Sequence, residues 1–61
     1  MKRLRKAREQ RGWSLAELAR RAEMSASTVG QILSGRLRPY PGQIEKLARA
    51  LDLNPEDLQR A

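Results

Sequence analysis

The sequence contains no cysteine, no histidine and no phenylalanine. Without cysteine there is no disulfide framework, and without both cysteine and histidine the common zinc sites and histidine-based catalytic triads are excluded. Apolar residues never follow one another for more than two positions, so the sequence has neither a membrane-spanning segment nor the core of a signal peptide. We therefore expect a cytoplasmic protein with no metal site and no small-molecule substrate. Because no nucleophile–base pair is recognisable, we do not expect an enzyme.

The sequence is short and carries an excess of positive charge. Its 61 residues include 13 Lys and Arg against 7 Asp and Glu, which gives a net charge of +6. Residues 1–40 hold ten of the basic and three of the acidic residues, a net charge of +7, whereas residues 41–61 hold three and four, a net charge of −1. A polyanionic partner would therefore meet the first two-thirds of the chain. The alternative interpretation is that these charges only keep the surface solvated.

Cap and turn signals divide the sequence into short helices and no strands. Ser14 and Glu17 have the spacing of a capping box, and Ser25 can cap the next helix. Gly35 supplies a left-handed stop, and Pro41 suits the first turn of a later helix. Apolar residues recur with helical spacing, and β-branched residues are few. The sequence therefore predicts one all-α domain over residues 1–61, a compact bundle of five helices at about residues 2–10, 15–22, 26–33, 41–51 and 55–60.

Predicted helices 2 and 3 are joined by a short turn at residues 23–25. Two short helices with such a turn form a helix-turn-helix unit, which presents its second helix to the major groove of DNA. Any helical bundle can contain this arrangement, so the function depends on the outward face of helix 3. Apolar residues at the inward positions would hold the two helices together: Leu18, Ala22, Met24, Val29 and Ile32.

The outward face of predicted helix 3 carries small, uncharged residues that form hydrogen bonds. At about 100° per residue, Ser27, Gln31 and Ser34 lie opposite the inward side, which Val29 and Ile32 define. Glutamine can pair with N6 and N7 of adenine, and serine can bond to several base edges. A merely solvated helix in so basic a chain would carry charged residues there. The pattern favours a base-reading face.

A set of motifs extends over residues 4–58: Leu4–Arg8, Trp13-Ser14, Glu17-Leu18-Ala19, Ser25, Thr28-Val29, Ile32-Leu33-Ser34-Gly35, Arg38-Pro39, Leu47–Leu51 and Asn54–Leu58. Together they resemble the phage repressor and Cro-type (Xre-like) helix-turn-helix domain. The resemblance implies a lambda-repressor-like fold. It also implies sequence-specific binding of double-stranded DNA, as a transcriptional regulator without a cofactor.

The resemblance further implies which residues contact DNA. The family reads bases from the first two positions of the third helix and from a position one and a half turns later, here Ala26, Ser27 and Gln31. Thr28 and Gly30 flank these positions, and Gly30 either allows a close backbone approach to DNA or is tolerated drift. The family binds phosphate through the loop after helix 3 and through backbone N–H groups at the starts of helices 2 and 4. This implies phosphate contacts at Ser34, Arg36, Arg38, Leu15 and the Gly42-Gln43 pair.

Three positions depart from the family's pattern. Leu15 stands where the family commonly has glutamine, so only the backbone N–H remains for phosphate. Glu23 stands where the turn usually has glycine, so it must accept a left-handed conformation. Leu33 replaces the glutamate that pairs with arginine at the position of Arg8. Arg8 is therefore expected to be available for a phosphate or another carboxylate.

The sequence leaves alternatives open for the roles of two aromatic side chains and for the kind of binding partner. Trp13 either stacks on a base or, as we favour, anchors partly in the core. Tyr40 either donates its hydroxyl to a phosphate or covers helix 4. Because Ala26 and Gly30 make helix 3 less polar, a protein-interaction or antitoxin-type module of the same fold is the main alternative to DNA binding. A further alternative is a basic amphipathic peptide that lies on a membrane surface, but the helix caps inside the sequence argue against it. We expect a monomer or weak homodimer with self-contact through the C-terminal third.

Overall fold

The computed structural model describes residues 1–59 and contains five helices: α1 (Lys2–Gln10), α2 (Leu15–Arg21), α3 (Ala26–Ser34), α4 (Pro41–Leu51) and α5 (Pro55–Gln59). These residues contain no strand, and the predicted all-α fold is confirmed. Ala22, predicted to lie in the second helix, is instead its C-cap, with φ −86° and ψ −1°. The third helix ends at Ser34, one residue later than predicted. Residue 60, the predicted end of the last helix, lies outside the described residues.

Serine side chains begin both helices of the helix-turn-helix unit. The Oγ of Ser14 accepts a hydrogen bond from the N–H of Glu17 at 3.1 Å, and the Oγ of Ser25 accepts one from the N–H of Thr28 at 3.1 Å. A capping box also predicts that the N–H of Ser14 donates to the Glu17 carboxylate, and this prediction is wrong. That carboxylate accepts from Arg20 and Arg21 instead. Arginines three and four positions later offer charged donors, which bind a carboxylate more strongly than a neutral N–H does.

Each of the first four helices is followed, within two residues of its end, by a residue with positive φ: Gly12 (69°), Glu23 (57°), Gly35 (84°) and Asp52 (57°). At these ends the chain turns back on itself, and a backbone N–H just beyond the turn bonds to a carbonyl of the preceding helix. The N–H of Arg36 donates to the carbonyl of Gln31 at 2.9 Å, and that of Leu53 donates to Ala48 at 2.8 Å. The left-handed conformation predicted for Glu23 is confirmed, whereas the one at Asp52 was not predicted from the sequence.

The core is built from aliphatic side chains, and no polar or charged residue in the described range 1–59 is buried. Every helix contributes to it, and α2 packs mainly against α3. Because α3 is too short to be stable alone, its buried inner face fixes its position. None of the helices in this range combines the length and the apolar character needed to cross a membrane. The largest fully buried side chains are Leu4, Leu18, Val29, Ile32, Leu47, Leu51 and Leu58.

Candidate nucleic-acid interface

The two sides of α3 differ sharply in exposure. Val29 and Ile32 are buried in the core, while Ala26, Ser27 and Gln31 are exposed on the other side. Ser34, on the last turn, is exposed as well. The structure therefore brings the three predicted base-reading residues together on one accessible surface. This surface is neutral, since no residue of α3 is charged.

Hydrogen bonds connect the polar side chains of this surface to one another and to the helix. The Nε2 of Gln31 donates to the Oγ of Ser27 at 3.4 Å, and the Oγ of Ser34 donates to the carbonyl of Gln31 at 3.1 Å. At the start of the helix, the Oγ of Ser25 donates to the Oγ1 of Thr28 at 2.8 Å. Thr28 is thereby part of the N-cap and lies half-buried beside the exposed residues. These contacts restrict the rotamers that the polar side chains can adopt.

Gly30 lies against the first residue of α2. A Cβ atom placed on Gly30 would be 3.3 Å from the Cδ2 of Leu15, which is tighter than an ordinary van der Waals contact. Leu15 is half-buried and also packs against the core. Glycine at position 30 therefore lets the Leu15 side chain approach the backbone of α3. Sequence reasoning missed this packing because the apolar pattern of α2 gives no sign of which residue of α3 it meets.

The loop after α3 presents two arginines to solvent. Arg36 and Arg38 are exposed, and their side chains make no hydrogen bond or ion pair with other residues in the range 1–59. The loop itself is anchored, because the N–H groups of Arg36 and Leu37 both donate to the carbonyl of Gln31, at 2.9 and 3.1 Å. Leu37 packs against the core. The two cations thus project from a segment that is fixed to the end of α3.

The start of α4 uses its polar groups internally. The N–H of Gln43, predicted to bind phosphate, donates to the carbonyl of Tyr40 at 2.9 Å. The Oε1 of Gln43 accepts from the N–H of Tyr40 at 2.9 Å. Pro41 has no N–H, so Gly42 carries the remaining backbone donor of the predicted pair. The contact predicted for the Gln43 backbone is therefore already occupied within the chain.

Residues 2–61 match the family of helix-turn-helix domains. The chain belongs to this family. The match is consistent with the resemblance to Xre-like and Cro-type domains, and the structure supplies the unit itself in α2, the turn at residues 22–25, and α3. Membership of the family indicates DNA binding. Searches of curated proteins and of solved structures gave no match.

Three arginines of this helix-turn-helix domain hold helix ends and turns together. Arg5 donates to the carbonyl of Leu33 at 3.4 Å, at the end of α3. Arg8 donates to the carbonyl of Trp13 at 2.7 Å, so the expectation that it is available for a phosphate or a carboxylate is wrong. Position 33 is a leucine and offers no carboxylate, and the bond goes to a backbone carbonyl of the turn instead. Arg11 donates to the carbonyls of Ala7, at 3.1 Å, and Leu51. Cations at the C-terminal ends of helices are stabilising.

Trp13 is half-buried and packs against the core, which confirms the favoured prediction. The guanidinium carbon of Arg21 lies 4.4 Å from the centre of its ring, and that of Arg11 lies 5.8 Å away. Such contacts are attractive cation–π interactions. The ring surface predicted as an alternative base-stacking platform is therefore used within the domain. The cation–π contacts could not be predicted from the sequence, because a tryptophan two residues after Arg11 is too general a signal.

Glu17 orders the arginines at the end of α2. Its carboxylate accepts from the Nη2 of Arg20 at 2.5 Å and from the Nε of Arg21 at 2.5 Å. These hydrogen bonds, the one from Arg20 first, lower the pKa of the Glu17 carboxyl below its ordinary value of 4.5. The hydrogen bond between Arg20 and Glu17 also raises the pKa of Arg20. Arg21 is thus held between Glu17 and the ring of Trp13.

Tyr40 is 71% exposed, so its ring covers little of α4. Its backbone caps α4 through the two bonds with Gln43. The prediction that its hydroxyl contacts a phosphate stays a prediction.

Proposed function

We propose that this domain binds double-stranded DNA sequence-specifically as a transcriptional regulator, with α3 in the major groove. The observation that carries the proposal is the outward face of α3, where Ser27, Gln31 and Ser34 are exposed, uncharged and joined by hydrogen bonds. A face of short polar groups allows the close approach that reading base edges requires. Gln31 is its long side chain, so it is the main reader of a base pair, and Ala26 and Ser27 read the neighbouring positions.

Phosphate contacts in this proposal come from residues beside that face. Arg36 and Arg38 are exposed on an anchored loop, and arginines in such positions neutralise phosphates of the DNA backbone. The hydroxyl of Ser34 can donate to a phosphate in exchange for its bond to the carbonyl of Gln31, and Gly42 adds a backbone N–H at the start of α4. The domain acts as a monomer or weak homodimer, with self-contact through the C-terminal residues, whose net charge is −1 over residues 41–61.

The first experiment is selection of bound duplexes from a random pool, followed by titration of the enriched sequence. A domain that pairs on DNA would enrich two symmetric half-sites about one helical turn apart, and a monomer would enrich a single half-site. Enrichment of no sequence, together with the lack of any salt-dependent affinity for generic duplex, would favour a protein-interaction module instead.

The second experiment identifies the reading residue. Gln31→Ala removes a neutral hydrogen-bonding group, so it should weaken binding of the selected duplex by about 1–3 kcal/mol and relax preference at one base pair. Binding of a scrambled duplex should change little, because no charge is lost. Gln10→Ala is the matched control, since Gln10 is also exposed but lies on α1 beside Leu53 and Asp57. If Gln31→Ala weakened both duplexes equally, α3 would not be the reading element.

A further inference from the structure

An apolar strip borders the polar face of α3. It consists of Leu15 from α2 with Ala26 and Gly30 from α3. Ala26 is exposed, and the other two are half-buried. Ala26 and Gly30 are four positions apart, so they are neighbours on one flank of the helix. The Cδ2 of Leu15 lies 3.3 Å from the place where a Cβ of Gly30 would stand, so the leucine side chain covers that flank.

The strip lies between the buried side and the reading face. At about 100° per residue, Gly30 is a quarter turn from Val29 and lies next to the direction of Ser34. Val29 is buried and Ser34 is exposed, so this flank is where the protein surface begins. The side chain of Leu15 covers this flank. It therefore lies beside the polar groups that face outward.

The strip carries no side-chain donor or acceptor. Among the groups that base pairs present in the major groove, the one apolar group is the C5 methyl of thymine. At the corresponding position cytosine carries only a C5–H, so it would bury less apolar surface against this strip than thymine does. The strip therefore favours thymine over cytosine.

We propose that Leu15, Ala26 and Gly30 form a docking site for the C5 methyl of a thymine next to the base pair that Gln31 reads. This rests on the proposed function, since the strip faces bases only if α3 enters the major groove. Leu15 then has a side-chain role in specificity, in addition to the backbone contact that the family pattern implies for its position. Gly30 has no Cβ, so the leucine side chain can lie close to the backbone of α3.

The test starts on the DNA, with the unaltered protein. Each thymine of the selected duplex is replaced in turn by deoxyuridine, which lacks only the C5 methyl. One replacement should weaken binding about fourfold, the effect expected for burying one methyl group, and the others should have little effect. A duplex with 5-methylcytosine in place of that thymine should bind more tightly than a duplex with cytosine there. A selected duplex with no thymine whose methyl matters would overturn the inference.

The second step assigns the effect to Leu15. For each variant, the ratio of affinities for the thymine and deoxyuridine duplexes is measured on the same preparation, so that a loss of folded protein cancels. Leu15→Ala should reduce the ratio from about four to near one. Leu53→Ala is the matched control, because Leu53 is also half-buried but lies beside α1, and it should keep the full ratio. A full ratio in Leu15→Ala would overturn the inference.

The outcomes separate this inference from the proposed function. If selection enriches a duplex whose binding depends on Gln31 but not on any thymine methyl, the proposed function holds and the apolar docking site does not. If selection enriches no duplex, both fail. Gln31→Ala should lower affinity and still show the fourfold methyl effect, because it leaves the strip intact.

Discussion

The two arginines at the C-terminal end of α1, Arg8 and its C-cap Arg11, carry the same charge as the two in the loop after α3 but lie in different surroundings. Arg8 and Arg11 donate to backbone carbonyls at the turn after α1 and at the end of α4. Arg36 and Arg38 are exposed, with no such partner among residues 1–59. The first pair therefore stabilises the fold, whereas the second pair is available to a ligand.

This difference limits what net charge says about a binding surface. The first forty residues have a net charge of +7, yet several of their arginines satisfy carbonyls, a carboxylate or an aromatic ring inside the domain. A backbone carbonyl that lacks a helical partner is costly to leave unpaired, so a long cationic side chain nearby is drawn to it. A count of cations alone overstates the surface that can meet DNA.

The largest effect is expected from Arg8→Ala. Its guanidinium is half-buried and donates to the carbonyl of Trp13 at 2.7 Å, so the variant loses a charged hydrogen bond and exposes the turn. The free energy of unfolding should fall by about 1.5–3 kcal/mol. Chemical denaturation with urea measures it. At a temperature where both proteins are folded, affinity for generic duplex should change little. If Arg8→Ala left stability unchanged but weakened DNA binding, Arg8 would act like the arginines of the loop after α3.

Arg38→Ala should give the opposite result. The side chain lies on the surface without a partner in residues 1–59, so the melting temperature should stay within error. Binding to the selected and to scrambled duplexes should weaken by similar factors, and the log–log dependence of affinity on salt should lose about one unit of slope. Arg38→Lys keeps the charge and should keep the slope. If Arg38→Ala reduced binding of the selected duplex alone, Arg38 would be a base reader.

Glu23, in the turn between α2 and α3, allows the effects of charge and of backbone conformation on stability to be separated. Glu23 has φ 57°, a conformation that costs a non-glycine residue about 1–2 kcal/mol. Glu23→Gly should stabilise the domain by about 0.5–1 kcal/mol, since the greater freedom of glycine in the unfolded chain offsets part of the gain. Glu23→Gln removes the charge but keeps the strained backbone, so its melting temperature should not rise. Equal stabilisation by both variants would assign the effect to charge.

The sequence predicted backbone features better than side-chain partners. Ser14, Ser25 and Gly35 act where expected, because caps and left-handed ends depend on residues close in sequence. The contact of Leu15 with Gly30 and that of Arg11 with the carbonyl of Leu51 join distant residues, and no local pattern specifies them. The exposed face of α3 was predictable because the spacing of buried residues defines its opposite side.

The smallest effect concerns pH. The hydrogen bonds from Arg20 and Arg21 lower the pKa of the Glu17 carboxyl in the folded protein below 4.5, its ordinary value. A lowered pKa means that the folded state favours the ionised carboxylate, so this contribution to stability is complete above about pH 5 and is lost as the pH falls through the lowered pKa. The unaltered domain should melt at a higher temperature than Glu17→Gln at pH 7, and this difference should shrink between pH 7 and pH 3.

The control is made in a domain with Arg20 and Arg21 both replaced by alanine. There, the effect of Glu17→Gln on the melting temperature should change much less with pH, because the carboxylate has lost the two donors that shift its pKa. A difference that grew on acidification would mean that the carboxylate destabilises the fold, and that Arg20 and Arg21 are not held by it.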